Sequence, residues 1–169
     1  DLPGGITTVT HTTPPPPGWW TSWNQTTLAQ PRLRTVIITL GAQDILAGTD
    51  PAAIENDLTA LITDINGFNR YKRPNGERIH VVLATVAPLG LDPTDARETN
   101  RQKLNADITN RYTTYGANDL VDLNQPLRDP AHPTNINPTY LTNGTPNDAY
   151  YQRIAQTVAN AVGDGVITL

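Results

Sequence analysis

The chain lacks several residue types, and each absence removes a class of function. It has 169 residues and no cysteine, so a disulfide framework, a thiolate nucleophile and a cysteine-bound metal are excluded. Charged residues make up only 17% of the chain and the formal net charge is −4 at pH 7, so no basic face is available for nucleic acid. No apolar run approaches the roughly 18 residues of a membrane-spanning helix.

Methionine is absent even at position 1, and lysine is scarce beside abundant threonine, asparagine and proline. This composition predicts a processed or excised chain that is secreted, with no signal peptide remaining. The length suits one domain with a real hydrophobic core.

The chain divides into an irregular segment and a regular one. Residues 1–30 contain Gly4-Gly5 and the run Pro14–Pro17, which is typical of polyproline II. Three tryptophans between residues 19 and 23 suit either a platform for carbohydrate or peptide, or a loop fixed to the body by large aromatics. Residues 31–169 show no linker and no repeat, and they predict one α/β domain.

Apolar patterning in the second segment predicts strands that alternate with helices. The predicted strands cover residues 35–40, 79–86 and 119–123, and the predicted helices cover residues 51–66, 93–112 and 147–162. A polar loop is predicted between residues 124 and 144. The alternation indicates an α/β fold with a three-layer, mostly parallel, flavodoxin-like sheet and helices on both faces.

Short sequence signals define the expected helix ends. Asp50-Pro51 and Asp92-Pro93 predict N-caps followed by a proline, and Asn66-Gly67 predicts a helix end. Thr145-Pro146 predicts the cap of the last helix. One apolar face of that helix is expected to carry Ile154, Ala155, Val158 and Val162.

Candidate groups for catalysis or metal binding are few. The histidines, His11, His80 and His132, lie far apart in sequence, so no metal site is expected. No nucleotide-binding motif is present, and no cofactor is predicted. His80 lies in a predicted strand and is interpreted as a hydrogen-bonded core residue. Ser22 is the only serine, and it does not follow a strand, so we do not assign it as a nucleophile.

Several short segments occur in a characteristic order between residues 28 and 162. They are Leu40-Gly41-Ala42-Gln43-Asp44-Ile45, Leu83-Ala84-Thr85-Val86-Ala87-Pro88, Leu127-Arg128-Asp129-Pro130 and Pro146-Asn147-Asp148-Ala149-Tyr150-Tyr151. In these segments and their spacing the chain resembles the SGNH (GDSL-type) esterase and lipase family, especially its secreted bacterial branch. The last segment is the most specific, because the family's catalytic histidine usually precedes it.

The resemblance implies where a catalytic site would lie. The family hydrolyses esters with a Ser-His pair oriented by Asp, and a Gly and an Asn help to form its oxyanion hole. The Gly-Asp-Ser block of the nucleophile is missing, and Gly5 corresponds to the oxyanion Gly of the second block. Gln43, followed by Asp44, stands at the oxyanion Asn. Thr145 stands at the catalytic His, and Thr142 at the catalytic Asp.

These substitutions remove the chemistry that the family motifs supply. Gln43 displaces its amide by one methylene, ~1.5 Å, which is enough to spoil oxyanion geometry. Thr145 cannot act as a general base near neutral pH. The loop is short, so Asn143 could align in place of Thr142. One shallow pocket is predicted around the candidate positions Gly5, Gln43, Asp44, Thr142 and Thr145. The Cα atoms of all of these except Thr142 are expected within ~12 Å of a common point.

Two functions are compatible with this pattern. The first is a degenerate SGNH-like domain without hydrolase activity, which binds a glycan or acyl-ester ligand or packs against other domains or chains. The alternative is a fragment of an active esterase whose serine lies on a missing N-terminal piece. Gln43, Thr142 and Thr145 lie within this chain, so the first function is favoured.

Assembly and modification complete the expectations. Residues 1–30 offer no clear strand to replace the family's first one, so another chain, copy or domain is expected to complete the sheet over at least ~1,000 Å². In a free monomer, residues 1–13 would have to fill that place, with Ile6, Thr8 and Val9 as the strand core. Asn24 and Asn143 each begin an N-glycosylation sequon.

Overall fold

The computed structural model describes residues 7–9, 28, 33–72 and 78–162, with only the backbone described at 7–9 and 70–72. The candidate position Gly5, the run Pro14–Pro17, the three tryptophans and Ser22 lie outside these residues.

Four parallel strands form the described sheet. They are β1 (Thr7–Val9), β2 (Thr35–Ile38), β3 (His80–Ala84) and β4 (Asp119–Val121), and they lie in the order β1-β2-β3-β4. The α/β class and the parallel sheet are therefore confirmed. Within the described strands, spatial order follows chain order, so the change of direction that a flavodoxin-like sheet would show is not seen among them.

The strand β1 includes Thr8 and Val9, two of the three residues named above as the strand core of a free monomer. Its backbone pairs in parallel with β2, with Thr8 opposite Ile37. The prediction that residues 1–30 hold no strand is wrong, because three residues suffice to pair with a buried neighbour and the proline run lies beyond them. The place beside β2 is thus filled by the chain itself, as expected for a free monomer.

Five helices surround the sheet within residues 33–162, together with a small hairpin. The helices are α1 (Ala42–Leu46), α2 (Pro51–Lys72), α3 (Ala96–Arg111), α4 (Asn124–Leu127) and α5 (Asp148–Val162). A 3₁₀ turn at Pro138–Tyr140 leads into the antiparallel strands β5 (Leu141–Thr142) and β6 (Thr145–Pro146). The predicted polar loop at 124–144 therefore contains a short helix at its start and a 3₁₀ turn and a strand near its end.

Alternate residues of the central strands belong to two separate hydrophobic clusters. Val36 and Leu83 pack with the inward faces of α2 and α3. Ile37 and Val82 pack with α4 and α5. Successive side chains of a strand point to opposite faces, so the clusters lie on opposite sides of the sheet. Seven residues predicted from helical spacing on α2 and α3 are buried: Ile54, Leu58, Leu61, Ile62, Ile65, Leu104 and Ile108.

The last helix buries a narrower face than its sequence suggested. Val158 and Val162 are buried and Ile154 is half-buried. Ala155 is exposed, so its assignment to the apolar face is wrong. A methyl group gains little from burial, and the larger side chains therefore set the orientation of the helix.

The observed N-cap residue matches the predicted one at one helix and differs from it at two. The Asp50 carboxylate accepts from Ala52 N at 2.8 Å, as predicted. At α3 the cap is Asp95, which accepts from Arg97 N at 2.8 Å, whereas Asp92 forms a separate turn with Thr94. At α5 the Asn147 side chain accepts from Tyr150 N at 3.2 Å. The predicted capping role of Thr145 is therefore wrong, since Thr145-Pro146 belongs to β6.

A buried polar network holds the segment that follows β3. Arg101 and Glu98 on α3 are 2% and 1% exposed, and Arg101 Nη2 donates to Glu98 Oε1 at 2.6 Å. Arg101 Nη1 also donates to the carbonyl oxygen of Val86 at 3.0 Å. Asn105 bonds the same residue twice, accepting from Val86 N at 2.7 Å and donating to Val86 O at 2.8 Å. The chain beyond Val86 thus leaves the sheet in a fixed direction.

Candidate functional site

The glycine after β2 is required by packing. Gly41 has φ 100°, in the left-handed region, and a Cβ built there would lie 3.0 Å from Leu104 Cδ2. A larger residue would have an unfavourable positive φ, and its Cβ would crowd Leu104. Gly41 therefore brings α1 against α3, with no catalytic role needed to explain it.

Gln43 and Asp44 lie on the five-residue helix α1, just beyond the carboxyl end of β2. The Gln43 side chain is exposed and Asp44 is half-exposed. An aspartate just beyond a strand end could bond loop amides through its carboxylate. Instead Thr49 N donates to the backbone oxygen of Asp44 at 2.8 Å, and the carboxylate has no hydrogen bond among the described residues.

Thr142 and Thr145, which the sequence resemblance aligned with catalytic Asp and His positions, face each other across a tight turn. Thr142 and Thr145 are cross-strand partners in the β5–β6 hairpin, and both are exposed. The turn residues Asn143 and Gly144 have φ 51° and 77°. Positive φ at both central residues is the pattern of a type I′ hairpin, for which Asn-Gly is the strongest short signal. Reading that dipeptide as a turn would have found the hairpin.

Three residues of the segment Pro146–Tyr151 have structural roles. Asn147 caps α5, and its Nδ2 also donates to Thr139 O at 3.2 Å. Tyr150 packs on the cluster beneath α5, and this burial raises its pKa. Tyr151 is 61% exposed and contacts the Tyr150 ring edge-on at 5.4 Å between centroids.

The two described histidines lie outside the hairpin. His80 Nε2 lies 2.5 Å from Asp119 Oδ2, at the amino ends of β3 and β4, whereas Gln43 follows a carboxyl end. His80 is half-buried and hydrogen-bonded, so it is paired but less deeply buried than a core residue. His132 is exposed, with its Nδ1 3.3 Å from Asp129 Oδ2.

No cluster of three or more potential metal ligands occurs within residues 33–72 and 78–162. The helices of these same ranges also include none that is long and apolar enough to cross a membrane.

A hollow of about 470 Å³ lies between the hairpin and the loops that follow β3 and α4; we call it the hairpin hollow. Its walls are mainly apolar, formed by Pro88, Leu89, Ile136, Pro138, Leu141 and Pro146. Asp129 and Asn135 supply its polar side chains, and Gly90 and Gly144 complete it. Leu141 and Pro146 are cross-strand partners, so one face of the hairpin lines the hollow and the face with Thr142 and Thr145 does not.

A second hollow of about 470 Å³ adjoins the first. We call it the His132 hollow. It is lined by His132 and Asp92, together with other residues of the two loops at 90–93 and 131–135. The two hollows share Gly90 and Asn135. Gly90 N donates to Thr134 O at 2.8 Å, which joins the two loops at this shared boundary.

The candidate positions from the sequence are only partly brought together. Thr142 and Thr145 are adjacent in the hairpin, and Gln43 and Asp44 lie on α1 at the carboxyl edge of the sheet. None of these four residues lines either hollow. That they surround one pocket with Gly5 stays a prediction. The hollows were missed because their walls come from loops far apart in sequence.

These features define an α/β domain with an irregular carboxyl edge, and its fold has a known counterpart. The chain is similar to the solved structure of a GDSL-like lipase from Bacteroides thetaiotaomicron VPI-5482, with a TM-score of 0.58 and 17% sequence identity. The match covers 84% of this chain and 67% of that chain. No protein-family model and no curated protein sequence matches. At this identity the likeness is one of fold, and it supports the relationship implied by the sequence motifs.

Proposed function

We propose that this chain is a degenerate SGNH-type domain that does not hydrolyse esters and acts by binding a ligand or by assembly. The carrying observation is the hairpin of residues 141–146. Where the resemblance calls for Asp and His, two exposed threonines face each other across a two-residue turn. Neither hydroxyl can take a proton from a nucleophile near neutral pH.

The position that corresponds to the oxyanion Asn supports the same proposal. Gln43 is exposed on a short helix, and its longer side chain is not held by any hydrogen bond among the described residues. Oxyanion stabilisation depends on donors that are fixed before the reaction, so a free and displaced amide contributes little.

The proposal includes the finer points of architecture and setting. The sheet is taken as the three-layer, flavodoxin-like core of the SGNH fold, which the two apolar clusters on opposite faces support. The domain is proposed to be secreted, with a glycan or acyl-ester ligand. A partner chain, copy or domain would pair beyond β1 or β4, because the place beside β2 is occupied.

An esterase assay on the chain tests the central claim. The chain should hydrolyse p-nitrophenyl acetate no faster than a matched protein blank. A serine-reactive phosphonate should leave its intact mass unchanged, and Ser22→Ala should behave identically. Stoichiometric labelling of Ser22, or hydrolysis that Ser22→Ala abolishes, would overturn the proposal.

Light scattering tests the assembly component separately. A dimer or larger complex at micromolar concentration would support a partner interface of at least ~1,000 Å². A monomer that unfolds cooperatively at that concentration would leave ligand binding as the remaining function.

A further inference from the structure

The two adjoining hollows at the carboxyl edge have a mixed character. The hairpin hollow has apolar walls from three prolines, two leucines and an isoleucine. Cavities of a few hundred Å³ with apolar walls and a few convergent polar groups are the usual form of small-ligand sites. Two such cavities that meet at Gly90 and Asn135 suit a ligand built of repeated units.

The polar groups stand at the boundary between the hollows. Asp129 lines the hairpin hollow, and its Oδ1 accepts from Ala131 N at 2.9 Å. The Nδ1 of His132 lies 3.3 Å from Asp129 Oδ2, so its Nε2 is left without a partner among the described residues. Asn135 carries an exposed amide that borders both hollows. The two hollows thus offer two carboxylates, Asp129 in the first and Asp92 in the second, together with one amide and one imidazole nitrogen.

The charge state of Asp129 decides which ligands fit. The backbone N–H of Ala131 and then the ring of His132 lower the pKa of this carboxyl, so Asp129 is ionised at neutral pH. An ionised carboxylate repels phosphate, sulfate and carboxylate groups. It also opposes an alkyl chain, because apolar contact would remove its water without a replacement hydrogen bond. A hydroxyl group, in contrast, donates to a carboxylate in a charge-assisted bond.

We infer that the hairpin hollow and the His132 hollow together bind a neutral oligosaccharide. Sugar rings present C–H faces to the prolines and leucines, and their hydroxyls donate to Asp129 and exchange hydrogen bonds with Asn135 and His132. The inference rests on the proposed function, since it names the ligand of a domain that does not cleave what it binds.

Calorimetric titration of the full chain tests this with defined probes. The neutral probes are cellotriose, maltotriose and triacetylchitotriose, the acidic probe is trigalacturonic acid, and the acyl probe is octanoate. At least one neutral trisaccharide should bind, and the acidic and acyl probes should bind more weakly or not at all. Asp129→Asn should weaken the neutral probe about tenfold and narrow its advantage over the acidic one.

Two further variants separate binding from folding. Leu141→Trp projects a larger side chain into the hairpin hollow from its half-exposed rim, and it should abolish binding without loss of cooperative unfolding. Asp57→Asn, which removes an exposed carboxylate on α2, is the matched control and should leave binding unchanged.

Each remaining outcome counts against the inference. No binding of any neutral probe at about 10 mM would overturn it, and so would stronger binding of octanoate or the acidic probe. Neutral binding that persists unchanged in Leu141→Trp would place the ligand elsewhere. The esterase assay is independent of these results: hydrolytic activity removes the proposed function, whereas inactivity without glycan binding removes only this inference.

Discussion

The loop after β3 and the hairpin before α5 both lie at the carboxyl edge of the sheet, but they are held in opposite ways. The loop is anchored from below by buried side chains, with Arg101 and Asn105 bonded to Val86. The hairpin is held by backbone pairing of two residues on each strand and by the half-buried Asn147, whose Nδ2 donates to Thr142 Oγ1 at 3.4 Å. Buried polar groups are costly unless fully paired. The buried pairs of this comparison lie beneath the loop, whereas Thr142 and Thr145 in the hairpin are exposed.

The largest loss of stability is expected when the buried pair of Arg101 and Glu98 is broken. Arg101→Met removes the donors of a carboxylate that is 1% exposed, and it should lower the free energy of unfolding by about 3–5 kcal/mol. Urea unfolding measures this difference. Arg97→Met on the same helix is the control, because Arg97 is well exposed and should change little. Equal losses in both variants would contradict the role given to the buried pair.

A second test concerns the close contact beneath α1. Gly41→Ala should cost about 3 kcal/mol of unfolding free energy, because it combines a positive φ with a 3.0 Å contact to Leu104. Gly48→Ala shares the positive φ of 82° but meets open space, so about 1 kcal/mol is expected. If the two variants lost the same amount, strain alone would account for both.

A third test follows the stability of the scaffold at alkaline pH, through the ionisation of Tyr115. Tyr115 is buried, and desolvation together with its hydrogen bond to Glu55 raises its pKa from 10.0 to about 12. The folded state therefore holds this proton more tightly than the unfolded state. Its contribution is complete below pH 10 and is lost by about 2 kcal/mol as the pH rises toward 12. Tyr115→Phe should lack this component when unfolding is followed against pH, and identical profiles would contradict it.

The smallest effect is expected in the hairpin. Thr145→Ala and Thr142→Ala should each change the free energy of unfolding by no more than about 0.5 kcal/mol, as for other exposed sites. Neither should alter the blank-level rate with p-nitrophenyl acetate. A loss above about 2 kcal/mol in either variant would show that the hairpin is held by side chains after all.

Sequence reasoning reached the scaffold because the periodic apolar residues of α2 and α3 all point inward. It failed where distant contacts override local signals. Asn66-Gly67 predicted a helix end, but Asn66 bonds Gly116 O at 3.0 Å. Asn69, one turn further, bonds both backbone groups of Ile79, so tertiary contacts carry α2 on to Lys72.

The candidate site was less accessible to the same reasoning. The resemblance located the hairpin segment and its two threonines, but it gave no indication that they pair across a turn. The dipeptide Asn143-Gly144 indicates the turn, although above it served only as part of a glycosylation sequon. The hollows depend on where two loops and the hairpin meet in space, which no local pattern specifies.

Gly41 affects how far such motifs can be trusted for annotation. The sequence resemblance assigned Gly41 to a motif block of SGNH-type hydrolases, yet its positive φ and its close packing against Leu104 are reason enough for a glycine here. A glycine at this position is therefore no evidence for catalysis in this chain. Discrimination between a working enzyme and an inert relative has to rest on positions without any packing duty, such as the exposed side chains at 43, 142 and 145.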